Sequence, residues 1–389
     1  LRLTSSATKG LVMSKPTLHL IGIFHTIHNQ AYSHCAFTGK ALRFSKMMQM
    51  RGYPVVEYAN EGSESEAREK IVILSRKELQ EMTGERKKTD FYADLATVGT
   101  PHHTEFESRL VSFMKHRVQP GDIICHPFGH AHSRLLNDFP KNLHVETGIG
   151  YPTLVDGTIK IFESYAWRHY HAGKDGREGS NYEWVIPNYF DINDWQPSFA
   201  PGSYYAFLGR IGAHKGLNTL LEIARHLPEG GPKIVLCGQG DPTPWLHPNI
   251  EYRGPISGTA RSEYMRNAIC SLMPTTFIEP FGGSGVEGLM CGTPLITTDY
   301  GAFAETVQHG FNGFRCKTLE DWLEALEAVT QLDRAAVSNA ARETYSLEAC
   351  SKRYDDAFEK IHQLYDKGWY TLSEKRLKKA PKIAVSAGL

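Results

Sequence analysis

Twice along this chain a short apolar run is followed by a segment of helical period and then by another short apolar run. Leu18–Phe24, Gly39–Arg51 and Val55–Tyr58 form the first such series, with Gly52 as the stop between helix and strand. Tyr204–Leu208, Leu217–His226 and Lys233–Cys237 form the second. Runs that are apolar throughout, rather than alternating, read as strands covered on both faces. Strand, helix, strand in series is the start of an open parallel sheet. The expected architecture is therefore α/β: two doubly wound units facing each other across a central cleft. A length of 389 residues suits two such units better than one core.

Further short strands are expected at Asp122–Cys125, Asn142–Val145, Ile250–Arg253, Ser271–Pro274 and Pro294–Thr298. Helical residues are expected around Ile159–His169 and over Gly285–Cys291. Residues 61–105 are charged and irregular and read as a surface insertion with helical pieces. Asp194–Gly202, carrying Pro197, Pro201 and Gly202, is the expected interdomain hinge. The expected division is an N-terminal unit over 14–193, a C-terminal unit over 203–350, a helix over 351–370 returning to the first unit, and a basic tail over 371–389. Met13 reads as a start, so residues 1–12 are set aside from the fold.

Lys and Arg together number 43, as do Asp and Glu, so the net charge is zero. This argues against a protein whose main task is gripping nucleic acid through its phosphates. Seven scattered cysteines, with no C-x-x-C pair, read as reduced thiols in a cytoplasmic protein. No stretch approaches the roughly 18 apolar residues of a membrane span. Peripheral membrane association stays open.

The segment Phe277–Ile296 (FIEPFGGSGVEGLMCGTPLI) concentrates the chemistry. Glu279 and Glu287 flank a Gly-rich turn that opens a helix, where free N–H groups and the positive dipole end suit a phosphate. Eight helical steps cover roughly 12 Å, about the reach from a hexose past a diphosphate to a ribose. One carboxylate could hold sugar hydroxyls and the other ribose hydroxyls.

This segment resembles the retaining glycosyltransferases of family four, the glycosyltransferase group 1 type, whose fold is GT-B. Phe207-Leu-Gly-Arg210 with Lys215-Gly216, Val235-Leu-Cys-Gly238, Glu251-Tyr-Arg-Gly254, and Gly301, Glu305, Gly310 and Gly313 follow in the family's order. Val185-Ile-Pro-Asn188 and Asp191 match its junction element, with Tyr189 where Gly is usual. The resemblance implies that Arg210 and Lys215 bind the diphosphate, that Glu279 contacts the transferred sugar and that Glu287 contacts the ribose. Phe281, Gly282, Gly283 and Ser284 would meet the donor, and Gly254, Pro255 and Ile256 would frame the base. It implies a nucleoside diphosphate sugar as donor, read as UDP-glucose first and GDP-mannose next, and retaining transfer by front-face attack. No D-x-D triplet occurs. Two fixed cations can supply the charge that a metal would, so neither metal nor cofactor is expected.

In the N-terminal half the family's Gly-Gly pair after the first strand is missing. Thr38-Gly39-Lys40 opens a helix and could touch phosphate or acceptor. Cys125-His-Pro-Phe-Gly-His-Ala-His132 follows a strand at its carboxyl end. His126 is the first candidate to approach the sugar and His130 the second. The spacing of His126, His130 and His132 also fits a metal, or ordinary core histidines. The acceptor is read as a hydroxyl on a glycan or glycolipid. A hydroxymethylated base in DNA is the alternative, suggested by His25, His28, Tyr32, His34, Phe37, Lys40, Arg43 and the basic tail. A nucleotide-sugar binder without transferase activity is the alternative of another class.

Overall fold

The computed structural model describes residues 15–32, 35–85, 95–200 and 202–372. The N-terminal half runs β1 (Leu18–Ile21), α1 (Ala36–Gln49), β2 (Val55–Ala59), β3 (Glu69–Val72), α2 (Arg76–Thr83), α3 (Pro101–Lys115), β4 (Ile123–Cys125), α4 (Leu135–Asp138), β5 (Leu143–Ile149), β6 (Ile159–Phe162), α5 (Tyr165–Lys174) and β7 (Trp184–Val185). The C-terminal half runs β8 (Tyr204–Leu208), α6 (Leu217–His226), β9 (Ile234–Cys237), β10 (Ile250–Gly254), α7 (Thr259–Arg266), β11 (Ala268–Met273), α8 (Gly283–Met290), β12 (Leu295–Thr298), α9 (Phe303–Thr306), β13 (Gly313–Cys316), α10 (Leu319–Ala328), α11 (Arg334–Tyr345) and α12 (Leu347–Lys367).

Among the described residues these strands form two sheets, ordered β3-β2-β1-β4-β5-β6-β7 and β10-β9-β8-β11-β12-β13. Every pairing is parallel. This is the doubly wound architecture expected from the two strand–helix series. The central strands are apolar because helices cover both faces: Leu18, Leu20 and Ile21 of β1 are wholly buried, as are Ile234 and Leu236 of β9. The chain reverses direction across each sheet between β1 and β4 and between β8 and β11, and each reversal opens a crevice at the carboxyl ends of those strands.

Three departures from the sequence reading have physical causes. The charged stretch 61–105 contains the edge strand β3, which opens on exposed Glu69 and Lys70 and whose apolar run Ile71–Leu74 is short and set among charged residues. The span 159–169 begins as β6 and becomes helical only at Tyr165, where the Ser164 Oγ accepts from the Trp167 N–H at 3.1 Å and caps α5. The stretch expected as a hinge is bonded onto the C-terminal unit instead. Trp195 is buried there, Ser198 N–H donates to the Cys291 carbonyl, and Arg334 Nε donates to the Ser198 carbonyl. Pro201 lies outside the described residues.

Two strands of chain pass between the sheets side by side. Phe190 N–H donates to the Tyr345 carbonyl at 2.8 Å, and Leu347 N–H donates to the Phe190 carbonyl at 3.0 Å. Beyond that bridge α12 lies against α1, burying Tyr354, Ala357, Phe358 and Ile361 in one cluster with Phe44, Met47, Met48 and Tyr53. The expected basic tail falls almost entirely outside the described residues. No helix of the described residues is long and apolar enough to cross a membrane.

Candidate active site

The crevice between β8 and β11 brings together the residues singled out in the C-terminal half. Arg210 stands just past the carboxyl end of β8 and is exposed, with no ion pair among the described residues. Lys215 ends the 3-10 turn Ala213–Lys215, and its Nζ donates to Glu279 Oε2 at 2.8 Å. The same ammonium lies 4.6 Å from the centre of the Phe277 ring. Glu279 comes from the loop after β11, so this ion pair spans the switch point. Both loops are held: Thr276 N–H donates to the His214 carbonyl at 3.1 Å. Gly216, at φ +82°, lets the backbone turn there against the Pro274 carbonyl, which a Cβ would meet at 1.8 Å.

Gly282 begins α8 in the left-handed region, at φ +81°. A Cβ there would strike the Phe303 ring at 2.6 Å. The amides of Gly283 and Ser284 are therefore the first two of α8, where no intrahelical acceptor exists, and no side chain caps them. Arg210, Lys215 and Glu279 all bear on the His214 imidazole, and with this helix end, which follows Glu279 in the chain, they make a cradle of two cations and one carboxylate.

Glu287 is nearly buried and held by a second cation. Arg261 of α7 donates to Glu287 Oε2 from Nε at 3.1 Å and also from Nη2. Arg43, reaching from α1 of the other unit, stacks 5.1 Å from the Phe190 ring and feels the Glu287 charge. Burial lowers the Arg43 pKa, and Glu287 opposes that shift. Arg261 escaped the sequence reading because it sits in no recognisable motif, and Arg43 entered it only among the basic residues that suggested a DNA acceptor. Gly254, at φ +79°, turns the chain out of β10; Pro255 is exposed and Ile256 half-buried. Ile256 also walls a surface groove of about 570 Å³ that runs along α7 past Tyr264 to Asn267, away from the cleft.

The N-terminal unit closes over this site through α5. Ser164 Oγ donates to the Pro280 carbonyl at 2.6 Å. The Tyr165 and Ala166 amides donate to the Glu305 carboxylate at 2.9 and 2.7 Å. Ile278 packs against the cluster of Ile149, Tyr151, Phe162 and Trp167.

Several expected contacts are not available. Phe281 is buried between Phe190 and Tyr345 and belongs to the core, so its side chain cannot meet a donor. Thr38 is wholly buried, with its hydroxyl 2.6 Å from that of Thr26, and Gly39 is buried beside it. Lys40 is enclosed, donating to Glu163 Oε1 at 2.7 Å and to the Gly148 carbonyl. A buried ammonium that already has a carboxylate partner is not free for a phosphate. His126 is also enclosed, its Nε2 3.0 Å from His144 Nδ1, so it does not reach the cleft. His130 is exposed. The residues that suggested a DNA acceptor are mostly interior: His25, Tyr32 and Lys40 are buried, and His28 pairs with Glu57 at 2.8 Å. His34 lies outside the described residues.

The His126–His144 pair predicts a pH effect. Burial, then the neighbouring His144 and His132, holds His126 well below its usual value. Burial lowers His144, opposed by the Phe139 carbonyl. Both rings stay neutral in the folded chain but titrate near 6.5 once unfolded. Below about pH 6.5 the unfolded chain thus binds protons that the folded chain refuses, so stability is complete above that pH and falls as pH drops. Each ring contributes up to about 1.4 kcal/mol per pH unit. Urea midpoints at pH 7.5, 6.5 and 5.5 should fall in that order. Equal midpoints would contradict the assignment.

Residues 194–344 match the family model described as glycosyl transferases group 1. Among curated relatives, the 2-deoxystreptamine N-acetyl-D-glucosaminyltransferase of Niallia circulans is 33% identical over 115 residues, which are 27% of this chain and 29% of that protein. The D-inositol 3-phosphate glycosyltransferase of Pseudarthrobacter chlorophenolicus is 24% identical over 265 residues, 54% of this chain and 60% of that protein. The chain thus spans less than two thirds of the length of these relatives. Two solved structures share its fold. AviGT4, a glycosyltransferase involved in avilamycin A biosynthesis, has a TM-score of 0.63 at 16% identity, covering 89% of this chain and 98% of its own. HepE of Anabaena, in complex with UDP and glucose, has a TM-score of 0.60 at 14% identity, covering 88% and 100%. The fold is GT-B, shared with these solved structures, and residues 194–344 are similar to the group 1 glycosyl transferases.

Proposed function

We propose that the protein transfers a hexose from a nucleoside diphosphate sugar, UDP-glucose foremost, to a hydroxyl of a glycan or glycolipid, with retention of configuration. The Lys215–Glu279 pair beside Arg210 and the uncapped end of α8 carries this reading. Breaking the anomeric C–O bond leaves negative charge on the diphosphate, and two cations with free amides in one crevice are suited to stabilise that charge. Glu279 is already committed to Lys215, so it is poised to hold sugar hydroxyls rather than to attack carbon. The leaving phosphate is then the base that takes the acceptor proton on the same face. Glu287, neutralised by Arg261 on one oxygen, keeps Oε1 to accept from a ribose hydroxyl. UDP bound to HepE in a related fold supports the choice of nucleotide.

The test is a melting panel of nucleoside diphosphates with and without EDTA. UDP at about 100 times its dissociation constant should stabilise by about 2.7 kcal/mol, and EDTA should leave that shift in place. If no nucleoside diphosphate at millimolar concentration moves the melt, the donor site is misassigned.

A further inference from the structure

The histidines after β4 part company in the structure, and one of them reaches a different partner set. His126 turns to His144 and His130 to solvent, whereas His132 points inward against α3. Among the described residues neither ring nitrogen of His132 makes a hydrogen bond of good geometry, although the residue is only 2% exposed, and the Gly22 backbone is the one polar contact that favours a proton on the ring. A buried imidazole so poorly paired is costly unless something else occupies its lone pair.

His103 and Glu107 stand one turn apart on α3 and face that ring. Ligand atoms of His103, Glu107 and His132 all lie within 4.8 Å of one another. The two imidazole centroids are 5.6 Å apart. Two imidazoles on one tetrahedral zinc stand roughly 5 Å apart, so the pair is nearly in place. His103 Nε2 lies 2.7 Å from the buried Ala131 carbonyl and donates to it. That bond fixes the tautomer in the way a backbone carbonyl behind a metal-ligating histidine does, leaving Nδ1 as the electron-pair donor. Nδ1 now accepts from the Gly99 N–H at 3.1 Å, a bond from an exposed loop that can be given up. Glu107 has neither an ion pair nor a hydrogen bond among the described residues. The nearby Arg134 is paired with Asp138 at 3.3 Å.

We propose that His103 Nδ1, a Glu107 oxygen and one ring nitrogen of His132 bind a zinc ion, with water in the fourth position. Two neutral imidazoles and a carboxylate are a donor set that zinc accepts. Tetrahedral ligands sit roughly 3.4 Å apart, so the site tightens by rotation of the half-exposed Glu107 side chain and release of Gly99. The ion ties α3 to the turn Gly129–His132, fixing the loop that follows β4 at the cleft end of the N-terminal sheet. This site is separate from the donor cradle and does not rest on the transferase reading.

The test uses the full chain, stripped with a chelator and then dialysed against zinc chloride, with metal content and melting temperature as readouts. One zinc per chain should be retained, and the melting temperature should rise. Glu107→Gln, a half-exposed change that should leave the fold intact by circular dichroism, should weaken zinc binding at least about tenfold. It should also abolish the thermal shift, and His103→Ala should do the same. Stoichiometric zinc held equally by the wild type and Glu107→Gln would place the ion elsewhere and overturn the proposal. So would a stripped wild type that takes up none.

Discussion

Alanine at Arg210 should lower turnover by on the order of 10²–10³-fold with the fold unchanged, and alanine at Lys215 should cost as much. Removing one group that stabilises developing charge in an active site typically raises the barrier by about 3 kcal/mol. Arg210 gives the cleaner variant: it is exposed and makes no ion pair among the described residues, so its loss disturbs nothing in the resting fold. Lys215→Ala also strips Glu279 of its partner and should impair handling of the sugar as well as of the phosphate. Lys215→Arg would restore the charge but not the geometry at the Phe277 ring, and should recover only part of the rate. The assay is steady-state turnover on the donor that wins the melting panel, with product stereochemistry read by proton NMR. The anomeric configuration of the donor should survive in the product. Near-wild-type turnover in a folded Arg210→Ala, Lys215→Ala double variant would remove both residues from the leaving-group role.

Ending the chain before Ser351 should abolish cooperative folding, whereas ending it after Leu372 should be tolerated. The first cut removes Tyr354, Phe358 and Ile361 from the core they share with Phe44, Met47 and Met48 of α1. Full burial of each such side chain contributes about 1.5–3 kcal/mol. Three of them together approach the entire 5–15 kcal/mol of a typical folded protein. The cut also exposes the apolar face of α1, which favours aggregation. It deletes the hydrogen bond from Tyr53 Oη to Asp355, another tie between α12 and the first unit. Circular dichroism melts of the two truncations decide the matter. A sharp transition within a few degrees of the full chain after the cut at Ser351 would show that α12 is not required by the N-terminal unit.

Local pattern was enough to read the parallel sheets. Strands covered on both faces must be apolar, and the helices between them must carry an apolar stripe, so Tyr204–Leu208, Leu217–His226 and Leu295–Thr298 are visible in the residues themselves. Arg210, Lys215, Glu279 and the Gly282–Ser284 turn were singled out through the resemblance to family motifs, and the fold brings them to one crevice. Its Gly216 and Gly282 stand where backbone or a ring leaves no room for a Cβ. The edge strand β3 was passed over because its exposed half, Glu69 and Lys70, merges with the charged stretch around it, although the short run Ile71–Leu74 marks it.

Burial of polar side chains was decided by tertiary structure alone. Thr38, Lys40 and His126 carry the chemistry of a site in sequence, yet packing encloses each with a partner: Thr26, Glu163 and His144. Those partners lie 12, 123 and 18 residues away, and no periodicity relates them. Likewise the Arg261 hold on Glu287, the Glu305 cap on α5 and the convergence of His103, Glu107 and His132 arise from which helix ends meet across a sheet or a cleft. An ionisable residue is written into the sequence. Whether it faces water, a ligand or another charge is set by the distant chain packed against it, because the free energy of a polar group depends on its whole surroundings and not on its neighbours in sequence.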